Sequence, residues 1–172
     1  GFAMCTDCRR EYEDPANRRF HAQPNACPVC GPRLTLTDTR GRAMAGEPLA
    51  TADELLRAGR IVAIKGLGGY HLSVDAANDR AVAELRVRKQ RDEKPFALMA
   101  ASLAVVERFA MASELEQRFL QGVERPIVLL PKAAGHGLSQ RIAPANDYFG
   151  VMLPSTPLHY LLLRDRFTAL VM

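Results

Sequence analysis

The sequence has few aromatic residues and no tryptophan. Aromatic residues make up 6% of its 172 residues, which argues against the aromatic-rich platforms that bind single-stranded nucleic acid. Purely apolar runs are short, such as 127–130, whereas a membrane-spanning helix needs about 20 apolar residues. The first residues do not resemble a secretory signal peptide. We therefore expect a soluble, cytoplasmic protein.

Positively charged residues are only slightly more numerous than negatively charged ones. Hydrophobic residues make up 48% of the sequence and charged residues 24%, which is ordinary for a globular chain and excludes a disordered one. The net charge of +4 mildly favours anionic partners, which leaves open phosphate-bearing small molecules, nucleic acid and acidic proteins. The chain does not begin with Met and ends in the apolar, strand-like run 167–172. We expect it to be a piece of a longer protein.

Cysteine is absent after residue 30, and all four cysteines lie in two C-x-x-C pairs. Cys5 and Cys8 form the first pair, and Cys27 and Cys30 the second, with eighteen residues between the pairs. This spacing favours a structural zinc site with four thiolate ligands, each pair in a tight turn. An iron–sulfur site or a redox dithiol could use the same residues. Because residues 1–38 lack the aliphatic side chains of a core, we expect the metal to fold them.

The rest of the chain is typical of a linker followed by a layered α/β domain. Residues 39–50 carry Gly and Pro with little periodicity, which predicts a linker. From residue 51 onward, short apolar strand-like runs alternate with helical patterns, which predicts an α/β (α+β) fold over 51–172.

Helix-capping residues predict where the helices of this domain begin. The expected helix starts are Thr51, which forms a capping box with Glu54, and then Asn78, Ser113 and Thr156. A further helix is expected over 102–110. The apolar side chains expected to face the core are Val82, Leu85 and Val87 in one helix, and Leu158, Leu161 and Leu162 in the last.

The densest cationic stretch lies where a predicted helix ends. Lys89, Arg91 and Lys94 come just before Pro95, which prevents the helix from continuing. These cations could converge on a polyphosphate. Alternatively, they could simply complement the negative end of the helix dipole. Spacing alone does not decide between the two interpretations.

A glycine-rich turn follows the first predicted strand of this domain. Lys65 opens the turn, which continues through Gly69 to Tyr70 and His71. The turn is neither a G-x-G-x-x-G nor a Walker sequence, but backbone N–H groups with Lys, Tyr and His in reach can form the floor of a ligand site. His71 and His159 could equally be core histidines.

Four segments together resemble the hydrogenase-maturation carbamoyltransferase family HypF. They are residues 27–33, 65–72, 86–96 and 150–159, and the resemblance covers nearly the whole chain in order. It implies a C4 zinc finger followed by most of a YrdC-like domain, whose fold is a mixed twisted sheet with helices.

The resemblance also implies a reaction. Carbamoyl phosphate and ATP, used with Mg²⁺, yield a carbamoyl adenylate in the YrdC-like domain. The carbamoyl group then passes to the C-terminal Cys of a partner maturation protein, HypE, as a precursor of the cyanide ligands of [NiFe]-hydrogenase. The alternative is a zinc-ribbon plus YrdC-like module that binds double-stranded RNA or tRNA, which we favour less. A scaffold for flanking domains is a third interpretation.

Site residues follow from the same resemblance. Aligning 89–95 with the Lys-x-Arg-x-x-x-Pro motif of the wider YrdC family implies that Lys89 and Arg91 contact nucleotide phosphate, with Lys94 in support. Tyr70 is retained from that family's turn motif and is assigned to the nucleotide as well. The zinc ligands implied are the four cysteines, although two of them could pair with a finger outside this chain.

Three departures from the wider YrdC family matter for function. Lys65 and His71 replace small residues of its turn, which suits a different substrate and makes both residues catalytic candidates. Met152 stands where that family has an Arg. The Ser-Gly-Asn element expected after residue 172 is absent, so we expect the fragment alone to bind nucleotide poorly and to be inactive.

Overall fold

The computed structural model describes residues 4–22, 29, 31–164 and 166–172. The chain divides into two compact units, Gly1–Met44 and Ala45–Met172. Within the described residues, no helix is long and apolar enough to cross a membrane.

The first unit contains one helix and several turns among its described residues. Helix α1 spans Thr6–Glu13. Thr37 forms an isolated bridge with Ala43, and Asp38 accepts hydrogen bonds from the backbone N–H groups of Arg40 and Arg42. The hydrogen bonds from Arg42 keep the pKa of Asp38 below its usual value. The predicted linker thus begins inside an ordered turn.

The second unit contains five further helices and six strands in the part of the chain that the structure describes. The helices are α2 (Pro48–Arg57), α3 (Asp79–Lys89), α4 (Leu103–Val106), α5 (Glu114–Gln121) and α6 (Pro157–Leu163), with a short 3₁₀ turn at Gln140–Ile142. The strands are β1 (Val62–Lys65), β2 (Tyr70–Asp75), β3 (Ala97–Met99), β4 (Val128–Pro131), β5 (Tyr148–Met152) and β6 (Leu170–Val171).

These six strands form one mixed sheet in the order β1-β2-β6-β3-β5-β4. Strands β3 and β5 pair in parallel, and the other neighbours are antiparallel. The last strand therefore lies in the middle of the sheet, where Leu170 pairs with Asp75 on one side and Met99 on the other. The expected α/β fold with a mixed sheet is confirmed.

Apolar side chains pack on both faces of this sheet. One face buries a large cluster with α3 that includes Phe96, Leu98 and Phe149. The other face packs against α2 and α6 and includes Leu56 and Leu162. Burial on both faces accounts for the near-continuous apolar strands of the sequence.

Three of the four predicted helix caps are present. The side chain of Asn78 accepts from the N–H of Ala81, and that of Thr156 from the N–H of His159. The Ser113 cap of α5 is part of a full capping box. The prediction for α2 was wrong: it begins at Pro48 with Glu47 as its cap, because proline is preorganised for the first helical position.

Two expectations of burial and one of helix length were also wrong. Val87 is 78% exposed, since a residue two positions after the buried Leu85 lies about 200° around the helix. Leu161 is 45% exposed, because the buried side of α6 runs through the neighbouring residues 159, 162 and 163. Helix α3 ends at Lys89, followed by a left-handed residue, and α4 covers only 103–106 of the predicted 102–110.

Candidate functional site

Strand directions bring the glycine turn and the cationic segment to the same end of the sheet. Strands β2 and β3 are both antiparallel to β6, which lies between them, so they start at the same end. Strands β2 and β3 are two strand spacings apart, which is about 10 Å. Strand β6 runs towards this end, where the N–H of Met172 donates to the carbonyl of Ala97. We call residues 65–71, 89–96 and 172 the basic end.

Lys89 and Arg91 converge on one buried aromatic ring at the basic end. The ammonium nitrogen of Lys89 lies 5.8 Å from the centre of the Phe96 ring, and the guanidinium carbon of Arg91 lies 5.0 Å from it. Phe96 is only 1% exposed. Attraction to the ring holds both cations near each other at the surface. Lys94 is exposed nearby.

Arg86 is a buried cation that the sequence reasoning did not single out. Its guanidinium donates to the carbonyls of Arg91 at 2.7 Å and Asp92 at 3.1 Å, and across the unit to those of Arg141 and Ile142. Burial, and next the charge of Arg91, lower the pKa of Arg86. The backbone of the cationic segment is thus tied to a fixed guanidinium.

A signal for Arg86 was present in the sequence. Arg86 comes four residues after Val82, three after Ala83 and directly after Leu85. This position is on the buried side of α3. An Arg on the buried side of a helix needs several acceptors. Here the turn after α3 supplies them as backbone carbonyls.

The two predicted catalytic residues lie on opposite faces of the β1–β2 hairpin. Lys65 pairs with Tyr70 in the ladder, and its ammonium lies 5.2 Å from the centre of the Tyr70 ring. Because successive strand residues point to opposite faces, His71 points away from Tyr70. The N–H of Gly66 closes the turn by donating to the carbonyl of Gly69 at 2.7 Å.

His71 lies against the glycine turn and a second histidine. A side chain at Gly66 would place its Cβ 2.5 Å from the Nε2 of His71, so the ring would have to move if residue 66 were not a glycine. The His159 ring is 6.0 Å away, centre to centre. His159 is 3% exposed, and its Nδ1 lies 3.4 Å from the Ser155 hydroxyl. Burial, and next His71, lower the pKa of His159.

The first cysteine pair lies at the start of a helix rather than in the tight turn expected from its spacing. Cys5 is at the N-cap position of α1, and Cys8 is in the first turn of the helix and 1% exposed. Residues three apart lie on the same helix face, and a helix start favours the thiolate form that zinc binds. Cys27 and Cys30 lie outside the described residues, and among those described no three metal-ligating side chains meet.

A cavity of about 630 Å³ lies apart from the predicted site residues. It is lined by residues from 101–108 and 160–168, including Arg108 and Phe167. None of the lining side chains belongs to the basic end.

Comparisons with known proteins match both parts of the chain. Residues 54–172 match the Sua5/YciO/YrdC family, described as telomere recombination, and residues 4–37 match the HypF finger. Carbamoyltransferase HypF of Rhodobacter capsulatus is 52% identical over 167 residues, 94% of this chain and 21% of that protein.

Two solved structures are similar over nearly the whole chain. The crystal structure of T. kodakarensis HypF has a TM-score of 0.87 and 48% identity over 99% of this chain and 23% of that one. A full-length HypF in a phosphate- and nucleotide-bound form has a TM-score of 0.83 and 45% identity, again over 99% of this chain and 22% of that one. The chain thus spans between a fifth and a quarter of these relatives. Because the Sua5/YciO/YrdC match covers more than half of the chain, with a HypF finger match ahead of it, the chain belongs to the Sua5/YciO/YrdC family.

Proposed function

We propose that this chain is the finger and adenylate-forming domain of a carbamoyltransferase. The named relatives support a transferase, and the nucleotide in a full-length HypF structure supports ATP as a ligand. The proposed substrates of the whole protein are carbamoyl phosphate and ATP. The proposed acceptor is the C-terminal Cys of a HypE-type hydrogenase maturation protein in the cytoplasm.

The proposed reaction has three steps, each of which forms one bond and breaks another. Water cleaves carbamoyl phosphate into carbamate and phosphate. A carbamate oxygen then attacks the α-phosphorus of ATP, forming carbamoyl adenylate as pyrophosphate leaves. Finally, the thiolate of the acceptor Cys attacks the carbamoyl carbon and AMP leaves. The middle step is the one we assign to this chain.

The convergence of Lys89 and Arg91 on Phe96 is the observation that carries this assignment. Attack at the α-phosphorus increases negative charge on the phosphate oxygens, and cations already held in place stabilise that charge without reorganising. Arg91 offers a planar fork of donors suited to phosphate. Lys94 and Tyr70 are further candidates for nucleotide contact, and Lys65 for charge stabilisation at the hairpin.

Zinc and magnesium complete the proposed ligand set. We assign zinc to Cys5, Cys8, Cys27 and Cys30, where it would stabilise the finger over 1–38, ahead of a linker at 39–50 and the domain at 51–172. Four thiolates leave no open coordination position, so the zinc would be structural. Mg²⁺ would accompany ATP and neutralise part of its phosphate charge.

The test is carbamoyl phosphate-dependent exchange of pyrophosphate into ATP by a full-length protein that carries this segment. We expect exchange in the wild type and its loss in Lys89→Ala and Arg91→Ala, with the zinc content of both variants unchanged. Normal exchange in both variants would overturn the assignment of these residues. No exchange in the wild type would overturn the proposed reaction itself.

A further inference from the structure

The cavity of about 630 Å³ lies at the end of the sheet opposite the basic end. Strand β3 begins at the basic end and runs to Met99, so residues 101–102, which follow it, emerge at the other end. Strand β6 runs in the opposite direction, so residues 166–168, which precede it, lie at that other end as well. Both segments line the cavity. The cavity is therefore separate from the site proposed for the nucleotide.

Three arginines line this cavity, and no described carboxylate does. Arg108 follows α4, Arg164 is the residue at the end of α6, and Arg166 belongs to the segment that leads into β6. The guanidinium groups of Arg108 and Arg164 are exposed and make no hydrogen bond or ion pair with any residue that the structure describes. Cations that share a cavity repel each other, and an anion bound between them relieves the repulsion.

Helix α2 holds the third arginine and the aromatic ring beside it. A carboxylate oxygen of Asp53 lies 3.7 Å from the guanidinium of Arg166. Arg57 donates to the backbone carbonyl of Arg166 at 3.1 Å, and its guanidinium carbon lies 5.2 Å from the centre of the Phe167 ring. Since these contacts fix the wall of the cavity in advance, less conformational entropy is lost when a ligand binds.

Apolar side chains and a tyrosine ring supply the rest of the lining that matters here. Val105, Leu163 and Phe167 are its apolar part. Tyr160 is 49% exposed, and its hydroxyl accepts a hydrogen bond from Arg125 at 3.3 Å. An aromatic ring that is exposed but held at its polar end offers a surface on which a planar group can stack. The volume is within the range of small-molecule sites, about 300–1,000 Å³.

We propose that this cavity is a second binding site, for a phosphorylated compound that carries a planar ring and has the size of a nucleoside diphosphate. The guanidinium groups of Arg108 and Arg164 would donate to the phosphate oxygens, for which their planar forks are suited. The planar ring would stack on Tyr160. The inference does not depend on the proposed function, because the cavity and the basic end share no residue.

Calorimetric titration of ADP into the full-length protein tests the proposal. The parent protein carries Lys89→Ala and Arg91→Ala, which remove two cations of the basic end, so that binding there contributes less. Because binding elsewhere does not involve the cavity, the readout is the change that Arg108→Ala or Arg164→Ala causes. Arg118→Ala is the matched control, since the side chain of Arg118 is 76% exposed and does not line the cavity. Inorganic pyrophosphate is the second probe.

We expect Arg108→Ala and Arg164→Ala each to weaken ADP binding about tenfold, which corresponds to the loss of a charged hydrogen bond. Arg118→Ala should bind ADP as the parent protein does. Pyrophosphate should bind more weakly than ADP, and Tyr160→Leu should remove that difference. Unchanged ADP affinity in both Arg108→Ala and Arg164→Ala, equal weakening by Arg118→Ala, or equal affinity for ADP and pyrophosphate in the parent protein would overturn the inference.

Discussion

The guanidinium of Arg86 donates to the backbone carbonyl of Arg91 at 2.7 Å, so a buried arginine holds the chain that carries a half-buried one. Arg86 lies on the buried side of α3, whereas Arg91 lies beyond its end. The same guanidinium reaches carbonyls near the 3₁₀ turn. One side chain thus fixes the cationic segment relative to the rest of the domain.

Replacing Arg86 should therefore damage both stability and phosphate binding. We expect Arg86→Leu to lower the free energy of unfolding by about 3 kcal/mol, because several backbone carbonyls, that of the buried Ile142 among them, lose a charged donor. ATP affinity in the full-length protein should fall as well, although Arg86 faces the interior. Urea unfolding and calorimetric titration measure the two effects.

Arg88→Leu is the matched control for Arg86. Arg88 lies on the same helix with its side chain 63% exposed, and it pairs with Glu84. Such surface pairs contribute about 0–1 kcal/mol, so this variant should remain close to the wild type. Equal destabilisation by both substitutions would contradict the role given to Arg86.

The glycine turn offers a test of the His71 position. Gly66→Ala should displace the His71 ring, because the new Cβ would lie 2.5 Å from its Nε2, whereas a Cβ added at Gly68 would meet nothing within 4 Å. We expect Gly66→Ala to lower pyrophosphate exchange at limiting carbamoyl phosphate about as much as His71→Ala does. Gly68→Ala should retain exchange. The idea fails if Gly66→Ala is fully active or if both glycine variants lose activity equally.

The zinc assignment predicts separable unfolding of the two units. Cys8→Ala should lose bound zinc and unfold the first unit, because that unit lacks a core without metal. The α/β unit, with its own apolar clusters, should keep its melting transition. Metal analysis and thermal melting by circular dichroism test this. A single transition shifted as a whole would argue against it.

Two histidines with lowered pKa values predict a loss of stability on mild acidification. Burial lowers the pKa of both His136 and His159 from their ordinary value of 6.5. The folded state therefore binds fewer protons than the unfolded state, and the free energy of unfolding should fall as the pH drops below about 6.5. Substituting His159 by Gln should reduce this slope between pH 7 and pH 5, as measured by urea unfolding. An unchanged slope would show that His159 does not titrate in this way.

Local signals predicted the framework of the fold well. Asn78, Ser113 and Thr156 cap helices where the sequence indicated, because a cap depends on neighbouring backbone groups only. The prediction that α2 begins at Thr51 failed because Glu47 and Pro48 provide an earlier helix start that is equally local. Where two starting signals compete within one turn, sequence alone does not rank them.

The arrangement of the site depended on long-range pairing that local patterns do not contain. Residues 65–71 and 89–96 lie at the same end of the sheet only because β6, the last strand of the chain, inserts between β2 and β3. Lys65 and His71 lie on opposite faces of the hairpin because strand β1 pairs with β2 in a register that places Lys65 opposite Tyr70. The approach of His159 to His71 depended on the path of α6, and no motif spacing predicts such a contact.

If Lys89 and Arg91 hold nucleotide phosphate, titration of ATP into the full-length protein will register the loss of either side chain. Arg88→Ala is the matched control, because Arg88 lies next to Lys89 but pairs with Glu84 instead of approaching Phe96. We expect Arg91→Ala and Lys89→Ala each to weaken ATP binding about tenfold or more, while Arg88→Ala binds ATP as the wild type does. Wild-type affinity in both Arg91→Ala and Lys89→Ala would contradict that expectation.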